Sequence, residues 1–315
     1  MTLSHCWGQL SFIQLSRSTE QAFRLAIAIT SMPRTFQEAI QVTKRLGVRY
    51  LWIDSLCILQ DKDNLSDWSY EAGRMHSVYT FSYCNLAAAD AENGSQGLFR
   101  SCDSRILDIV RTNVYLEDVD GNTAAHVECS VTDYDFWDRN VLGCHLNTRG
   151  WVFQERLLAP RVLYFGRNQL LWECRQQDAC ETYPTGLPYV HRRQLWTNVK
   201  ALDPNVLRTK RIISRTADHT SALLALWYTV ILPQYHRTSL TIPTDILVAL
   251  SGIAKRMAII MDDVYVAGLW RKHLESALLW QVGLGEPTPS RPKEYCGPSW
   301  SWASINGHCL SLIHI

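Results

Sequence analysis

Short apolar runs alternate with amphipathic stretches through the first half of the chain, the pattern of an α/β fold. Three runs read as buried strands: Thr2–Cys6, Arg49–Asp54 and Cys84–Ala89. Between them the apolar positions fall at helical spacing. Ser18–Thr30 opens on a Ser18/Gln21 capping box, with Phe23, Ala26, Ile27 and Ile29 behind it. Thr35 and Glu38 form a second box, ahead of Phe36, Ala39, Ile40 and Leu46, and Gly47 supplies a stop. Trp68, Ala72, Met75 and Tyr79 share one face of a third helix, which Asp67 or Ser66 can cap. Strands joined through helices predict an open parallel sheet that holds the three runs.

The alternation changes at Ile106–Thr132, where two β-like runs flank Asp120-Gly121-Asn122, an inserted hairpin. Arg149–Leu158 reads as a short helix, and Arg161–Phe165 and Gln169–Cys174 as two strands joined by Gly166-Arg167-Asn168. The Pro- and Gly-rich Thr182–Pro188 marks a boundary, dividing the chain into 1–181 and 182–315. Helices are predicted beyond it at Thr216–Leu232, Thr244–Ile260 and Val266–Val282, then a Pro-rich loop and a strand at Trp300/Trp302. The whole is an α/β core with a β-hairpin insertion and a mostly helical C-terminal flank.

Composition narrows the function. The formal net charge of +1 over 315 residues, with no basic block, argues against nucleic-acid binding by charge. The longest apolar candidate, Ala222–Leu232, falls short of the about 20 residues a membrane span needs. Ten cysteines are scattered with no Cys-x-x-Cys pair and no secretory signal, which points to reduced thiols, a cytoplasmic setting and no structural metal. Twelve tryptophans are spread from Trp7 to Trp302, as core anchors are. Neither a Gly-rich phosphate loop nor a nucleophile elbow is present.

Candidate chemistry gathers where the apolar runs stop. In Tyr50-Leu51-Trp52-Ile53-Asp54 a carboxylate ends a buried run, and Cys57 and Gln60 follow in the loop. In open α/β sheets, the carboxyl ends of the strands form the ligand-binding mouth. Ser4, His5 and Trp7 close the first run, Glu71 lies in the first turn of the third helix, and Gln154, Glu155 and Arg156 form a later polar cluster. Turn, cap and dipole roles account for the same residues. Burying such acids singly is costly. A shared cleft lined by Ser4, His5, Asp54, Cys57, Gln60, Glu71, Gln154 and Glu155 is therefore expected.

Three segments carry a family resemblance: Thr2-Leu3-Ser4-His5-Cys6-Trp7-Gly8, Tyr50–Asp61, and Arg149-Gly150-Trp151-Val152-Phe153-Gln154-Glu155-Arg156-Leu157-Leu158 followed by Arg161–Phe165. In this order they resemble the blocks of the fungal heterokaryon-incompatibility (HET) domain, and Pro298–Ala303 is similar to a segment downstream in many such proteins. The family's first block normally follows more chain, so the N-terminus reads as truncated. The resemblance implies a cytoplasmic effector of non-self recognition and programmed cell death. HET domains are in turn distantly similar to Toll/interleukin-receptor (TIR) domains, which are flavodoxin-like, and some of which cleave NAD with a helix-borne glutamate. Trp68-Ser69-Tyr70-Glu71 resembles that Trp-x-x-x-Glu region, with one residue fewer between Trp and Glu.

Several readings follow. In the first, a signalling module engages a protein partner or self-associates. In the second, Glu71 and Asp54 cleave NAD as substrate, with Ser4, His5, Trp7, Cys57, Gln60, Gln154 and Glu155 binding the ligand and no cofactor or metal needed. A carboxylate suits that reaction because the nicotinamide–ribose bond breaks through an oxocarbenium-like state. A third reading is a cysteine hydrolase built on Cys57 with His5 or His76 as base.

Overall fold

A computed structural model describes residues 1–61, 63, 65–117, 123–188, 190, 200, 219–283, 289–307 and 309–311. The chain opens with β1 (Thr2–Ser4) and then α1 (Arg17–Leu25). The cap of α1 is Ser16, not Ser18: its side chain accepts from the Thr19 amide while Thr19 closes the reciprocal bond. In α2 (Arg34–Arg45) the expected Thr35/Glu38 box is absent. Glu38 turns inward instead and accepts the Leu98 and Phe99 amides, while Arg34 donates to its other oxygen at 2.6 Å. Gly47 ends the helix at φ +69°, which an L side chain rarely adopts.

The run at 49–54 is a correction. It contributes one parallel bridge, Trp52 to Thr2, rather than a full strand. Asp54 starts a one-turn helix, α3 (Asp54–Cys57), so the chain leaves the sheet two residues after Trp52. The single helix expected at Trp68–Tyr79 breaks in two, α4 (Ser66–Ala72) and α5 (Met75–Thr80), at Gly73–Arg74. Asp67 does not cap α4; its carboxylate accepts the Leu59 amide at 2.8 Å.

β2 (Asn85–Ala87) pairs parallel with β1. The insertion forms the antiparallel hairpin β3 (Arg111–Glu117) and β4 (Thr123–Ser130). Its Asp120-Gly121-Asn122 turn lies outside the described residues. α6 (Gly150–Leu158) leads into β5 (Arg161–Phe165), β6 (Leu170–Cys174) and β7 (Asp178–Cys180). The main sheet has the order β1-β2-β5-β6-β7. It is mixed rather than all parallel: β2–β5 is parallel, but β5–β6 and β6–β7 are antiparallel. The tight Gly166–Asn168 turn allows only an antiparallel return.

Alternation along the strands splits the core over both sheet faces. Leu86, Ala88 and Phe165 pack with Phe36 and Ala39 of α2. Ala87, Ala89, Val162 and Tyr164 pack with Trp137 and Val152 on the other side. A third cluster joins Ile58, Tyr79 and Phe153 to Trp227, Ile253, Trp270 and Trp302 of the flank.

That flank is helical in α7 (His219–Leu226), α8 (Leu232–Tyr235) and α9 (Val248–Met261). The helix expected over Val266–Val282 is not formed. Asp262 and Ala267, both at positive φ, help turn the chain into a short hairpin, β8 (Tyr265–Val266) and β9 (Leu269–Trp270). α10 (Leu274–Ala277) and then β10 (Trp280–Val282), paired with β11 (Cys309–Ser311), follow. Trp302 lies in a 3-10 turn rather than a strand, its indole donating to the Gly268 carbonyl at 2.9 Å. No described helix is long and apolar enough to cross a membrane.

Candidate functional site

The mouth of β1 is built on a continuous line of buried polar side chains. Thr2 donates to Asn85 Oδ1 at 2.9 Å, and Asn85 Nδ2 donates to Ser4 Oγ at 2.8 Å. Ser4 Oγ in turn donates to Glu155 Oε2. Tyr79 OH donates to the same carboxylate oxygen at 2.9 Å. Buried hydroxyls and amides need partners, and here each strand-end group supplies one to the next. The line crosses β1, β2, α5 and α6, drawing together segments far apart in sequence.

A second group lies beside it. Trp7 Nε1 donates to Asp54 Oδ2 at 3.0 Å, and the Ser55 amide donates to Asp54 Oδ1 at 2.7 Å. His5 Nδ1 lies 3.9 Å from Asp54 Oδ1, and Arg149 donates to the His5 carbonyl at 2.7 Å. His5 is buried edge-on against Phe36, with ring centroids 4.9 Å apart, and its Nε2 has no hydrogen-bond partner among the described residues. The Asp54 side chain keeps 27% of its surface exposed, so this acid faces water while Glu155, at 6%, does not.

Burial sets the electrostatics. It pushes the Glu155 carboxyl up to about 7; the Ser4 and Tyr79 hydroxyls oppose this, and the charge of Asp54 adds to it. Burial also lowers His5, which Asp54 opposes and Arg149 reinforces, so its imidazole is neutral near pH 7. The Tyr79 phenol is raised well above its ordinary value, first by burial and then by Glu155, so it acts only as a donor to the acid.

Of the sequence-predicted residues, Ser4, His5, Trp7, Asp54 and Glu155 come together here. Others do not. Gln154 turns to the flank instead, its Oε1 accepting the Gly252 amide of α9 at 2.8 Å. Gln60 bonds back to the Ile58 carbonyl of its own loop at 2.9 Å. Cys57 is at the end of α3, and burial raises its thiol; the backbone of Ile53 lowers it, and Asp54 and Glu71 raise it further. Glu71 makes no contact with the Ser4–Glu155 line among the bonds of the described residues. The buried Arg156 belongs to another network: it forks onto Glu173 at 3.0 and 2.9 Å, Tyr164 donates to Glu173 at 2.6 Å, and Lys200 Nζ lies 3.5 Å from the same carboxylate.

Three participants were missed in the sequence: Asn85, Tyr79 and Arg149. Asn85 was the findable one, since an amide inside an apolar strand must be satisfied by something. Tyr79 sat on an apolar helical stripe and read as core, which it also is. Among the described residues no group of three His, Cys, Asp or Glu side chains is placed to hold a metal ion.

Residues 1–155 fit the family model for Heterokaryon incompatibility protein (HET). No curated protein and no solved structure matches the chain. The matched stretch holds the whole Ser4–Asn85–Tyr79–Glu155 line and the Trp7–Asp54 pair beside it, and residues 1–155 of this chain are a heterokaryon-incompatibility (HET) domain.

Proposed function

We propose that the chain is a cytoplasmic effector of fungal heterokaryon incompatibility that promotes programmed cell death as a signalling module, acting through protein contacts. The observation that carries this is the commitment of the motif acids to their own fold. Glu155 accepts two hydroxyls in a buried setting, and Asp54 is held by the Trp7 indole and the Ser55 amide. Groups so engaged serve to fix one arrangement of β1, α3, α5 and α6 rather than to meet a substrate. In this reading residues 1–181 carry the incompatibility domain, and 182–315 brace it through α9 and the Trp302 turn.

The test is inducible expression in a fungus. Death is expected from the wild-type chain and its loss from Glu155→Ala, whose cavity leaves Ser4 and Tyr79 without an acceptor; survival of the wild-type culture would overturn the reading.

One observation favours a second reading. The Asp54 and Glu71 carboxylates both push the Cys57 thiol up, so both acids bear on the exposed rim at Cys57. With Asp54 part-exposed, that rim would let a carboxylate face the oxocarbenium-like state of nicotinamide–ribose cleavage, as in TIR-like NAD glycohydrolases. Cellular NAD separates the readings. The signalling module kills without NAD loss and survives Glu71→Gln; the hydrolase consumes NAD and is silenced by that substitution.

A further inference from the structure

One end of the main sheet carries cations and exposed aromatic rings. Register defines that end. Thr2 pairs with both Trp52 and Asn85, and Asn85 with Val162, so the row spans three strand spacings, about 14 Å. Tyr50, Tyr83 and Arg161 come just before that row and emerge together where the strands begin. Two helices end beside them. Lys44 and Arg45 lie in the last turn of α2, and Gly47 turns the chain from there into Arg49 and Tyr50. α5 closes at Phe81, just ahead of β2. Phe81 is 84% exposed, Tyr50 75% and Tyr83 57%.

The guanidinium of Arg49 lies over the Tyr50 ring, 5.7 Å from its centroid, and that of Arg161 over the Tyr83 ring at 5.4 Å. Arg161 also donates to the Tyr83 carbonyl at 3.0 Å. Among the described residues neither arginine, nor Lys44 or Arg45, pairs with a carboxylate, whereas the exposed Arg24, Arg105 and Arg111 each do. The acids of the same row, Glu173 and Asp178, act on the buried Lys200 instead. Cations in a last helical turn complement the helix dipole, which accounts for Lys44 and Arg45. It leaves Arg49, Arg161 and the exposed rings without a use.

We propose that this end of the sheet rests on an anionic lipid bilayer. The four cations meet the lipid headgroups, while Phe81 and the tyrosine rings enter the boundary between headgroups and acyl chains. Charge complementarity selects a polyanion, because no acid offsets these cations among the described residues. The rings select the bilayer over a nucleic-acid strand. Stacked bases need open ring faces, and Arg49 and Arg161 each occupy a face of the tyrosine beside them. Phe81 offers an exposed apolar tip, which a bilayer accepts and a soluble anion does not. Attachment is peripheral and reversible, and each cation near such a surface strengthens it about fivefold. The attachment is read from vesicles rather than from cell death, so its failure and that of the incompatibility reading are separate results.

The experiment is co-sedimentation of the full chain with vesicles of phosphatidylcholine alone or with about one-third phosphatidylserine, at salt from about 0.1 to about 0.5 M. Binding is expected to the second kind only, and to weaken as salt rises. Arg49→Gln and Arg161→Gln are each expected to lower affinity about fivefold at low salt with unchanged circular dichroism, and Arg161→Lys to bind as the wild type does. Phe81→Ser is expected to weaken binding at every salt concentration. Arg111→Gln, on the β3–β4 hairpin, is expected to change nothing. Absence of binding to the anionic vesicles, equal binding to both kinds, Arg49→Gln, Arg161→Gln or Phe81→Ser chains that bind like the wild type, or an Arg111→Gln chain weakened as much would each overturn the proposal. Full competition by soluble glycerophosphoserine would overturn it too, by assigning the site to a free headgroup, and so would single-stranded DNA that binds while vesicles do not.

Discussion

Replacing Glu155 by Gln tests the buried acid directly. Its carboxyl titrates near pH 7 in the folded chain, against 4.5 for an unperturbed glutamate. Between those values the folded state holds a proton that the unfolded state has released. The stability this gives is fully present below about pH 4.5 and is lost as pH rises through about 7. At about 1.4 kcal/mol per pH unit, the swing is about 3 kcal/mol. Because Glu155 is only 6% exposed, solvent screening takes little from that figure. Gln cannot ionise, yet its amide oxygen still accepts from Ser4 or Tyr79. The variant is therefore expected to equal or fall slightly below the wild type at pH 5 and to exceed it at pH 8. Urea unfolding followed by tryptophan fluorescence at several pH values gives the difference between the two proteins, in which distant titrations cancel. Those nearby do not all cancel, so a second variant is needed. Asp54 raises the Glu155 carboxyl, and Asp54→Asn is expected to shrink the swing and move it to lower pH. A difference that stays flat between pH 5 and 8 would refute the argument, and so would one that grows toward low pH.

Further outcomes follow from packing and charge. Glu173→Gln should cost about 3–5 kcal/mol in urea unfolding, because it leaves buried Arg156 and Lys200 without their counter-charge; a loss under about 1 kcal/mol would show that water reaches them. Gly252→Ala should destabilise by about 1–3 kcal/mol, since the new Cβ would meet the Gln154 amide and approach His76 Cβ at 2.5 Å; an unchanged unfolding midpoint would contradict that. Gly8→Ala, at φ +65° with Asn93 Cβ 2.5 Å from the added methyl, should lower the melting temperature, and an unchanged value would mean the turn has room to relax.

Local signals in the sequence located the elements, but not what their polar residues face. Gly47 and the Gly166–Asn168 turn were legible because each reflects a backbone constraint that few residues satisfy. The Thr35/Glu38 spacing fits a capping box, but two amides from residues 98 and 99, remote in sequence, claim the carboxylate. Trp52 fits a run of strand residues because its neighbours are apolar. Apolarity also suits the approach to a one-turn helix, and only the bridge to Thr2 distinguishes the two. Over Val266–Val282 the apolar spacing resembled a helix, whereas Ala267 and Gly268, both at positive φ, require a reversal. Periodicity carries no sign of that.

The site shows the same division. A motif lists residues along one chain, whereas a carboxylate's partners are chosen in space. Gln154 and Glu155 are adjacent, and successive helical positions point about 100° apart. One therefore reaches the Gly252 amide in the flank while the other reaches Ser4 and Tyr79 beneath the sheet. The third, Arg156, turns to Glu173. One turn of α6 thus serves three separate neighbours, and a change at any of the three loosens a different contact. Substitutions along Gln154–Arg156 should accordingly add nearly independently in unfolding experiments, because their partners are not shared.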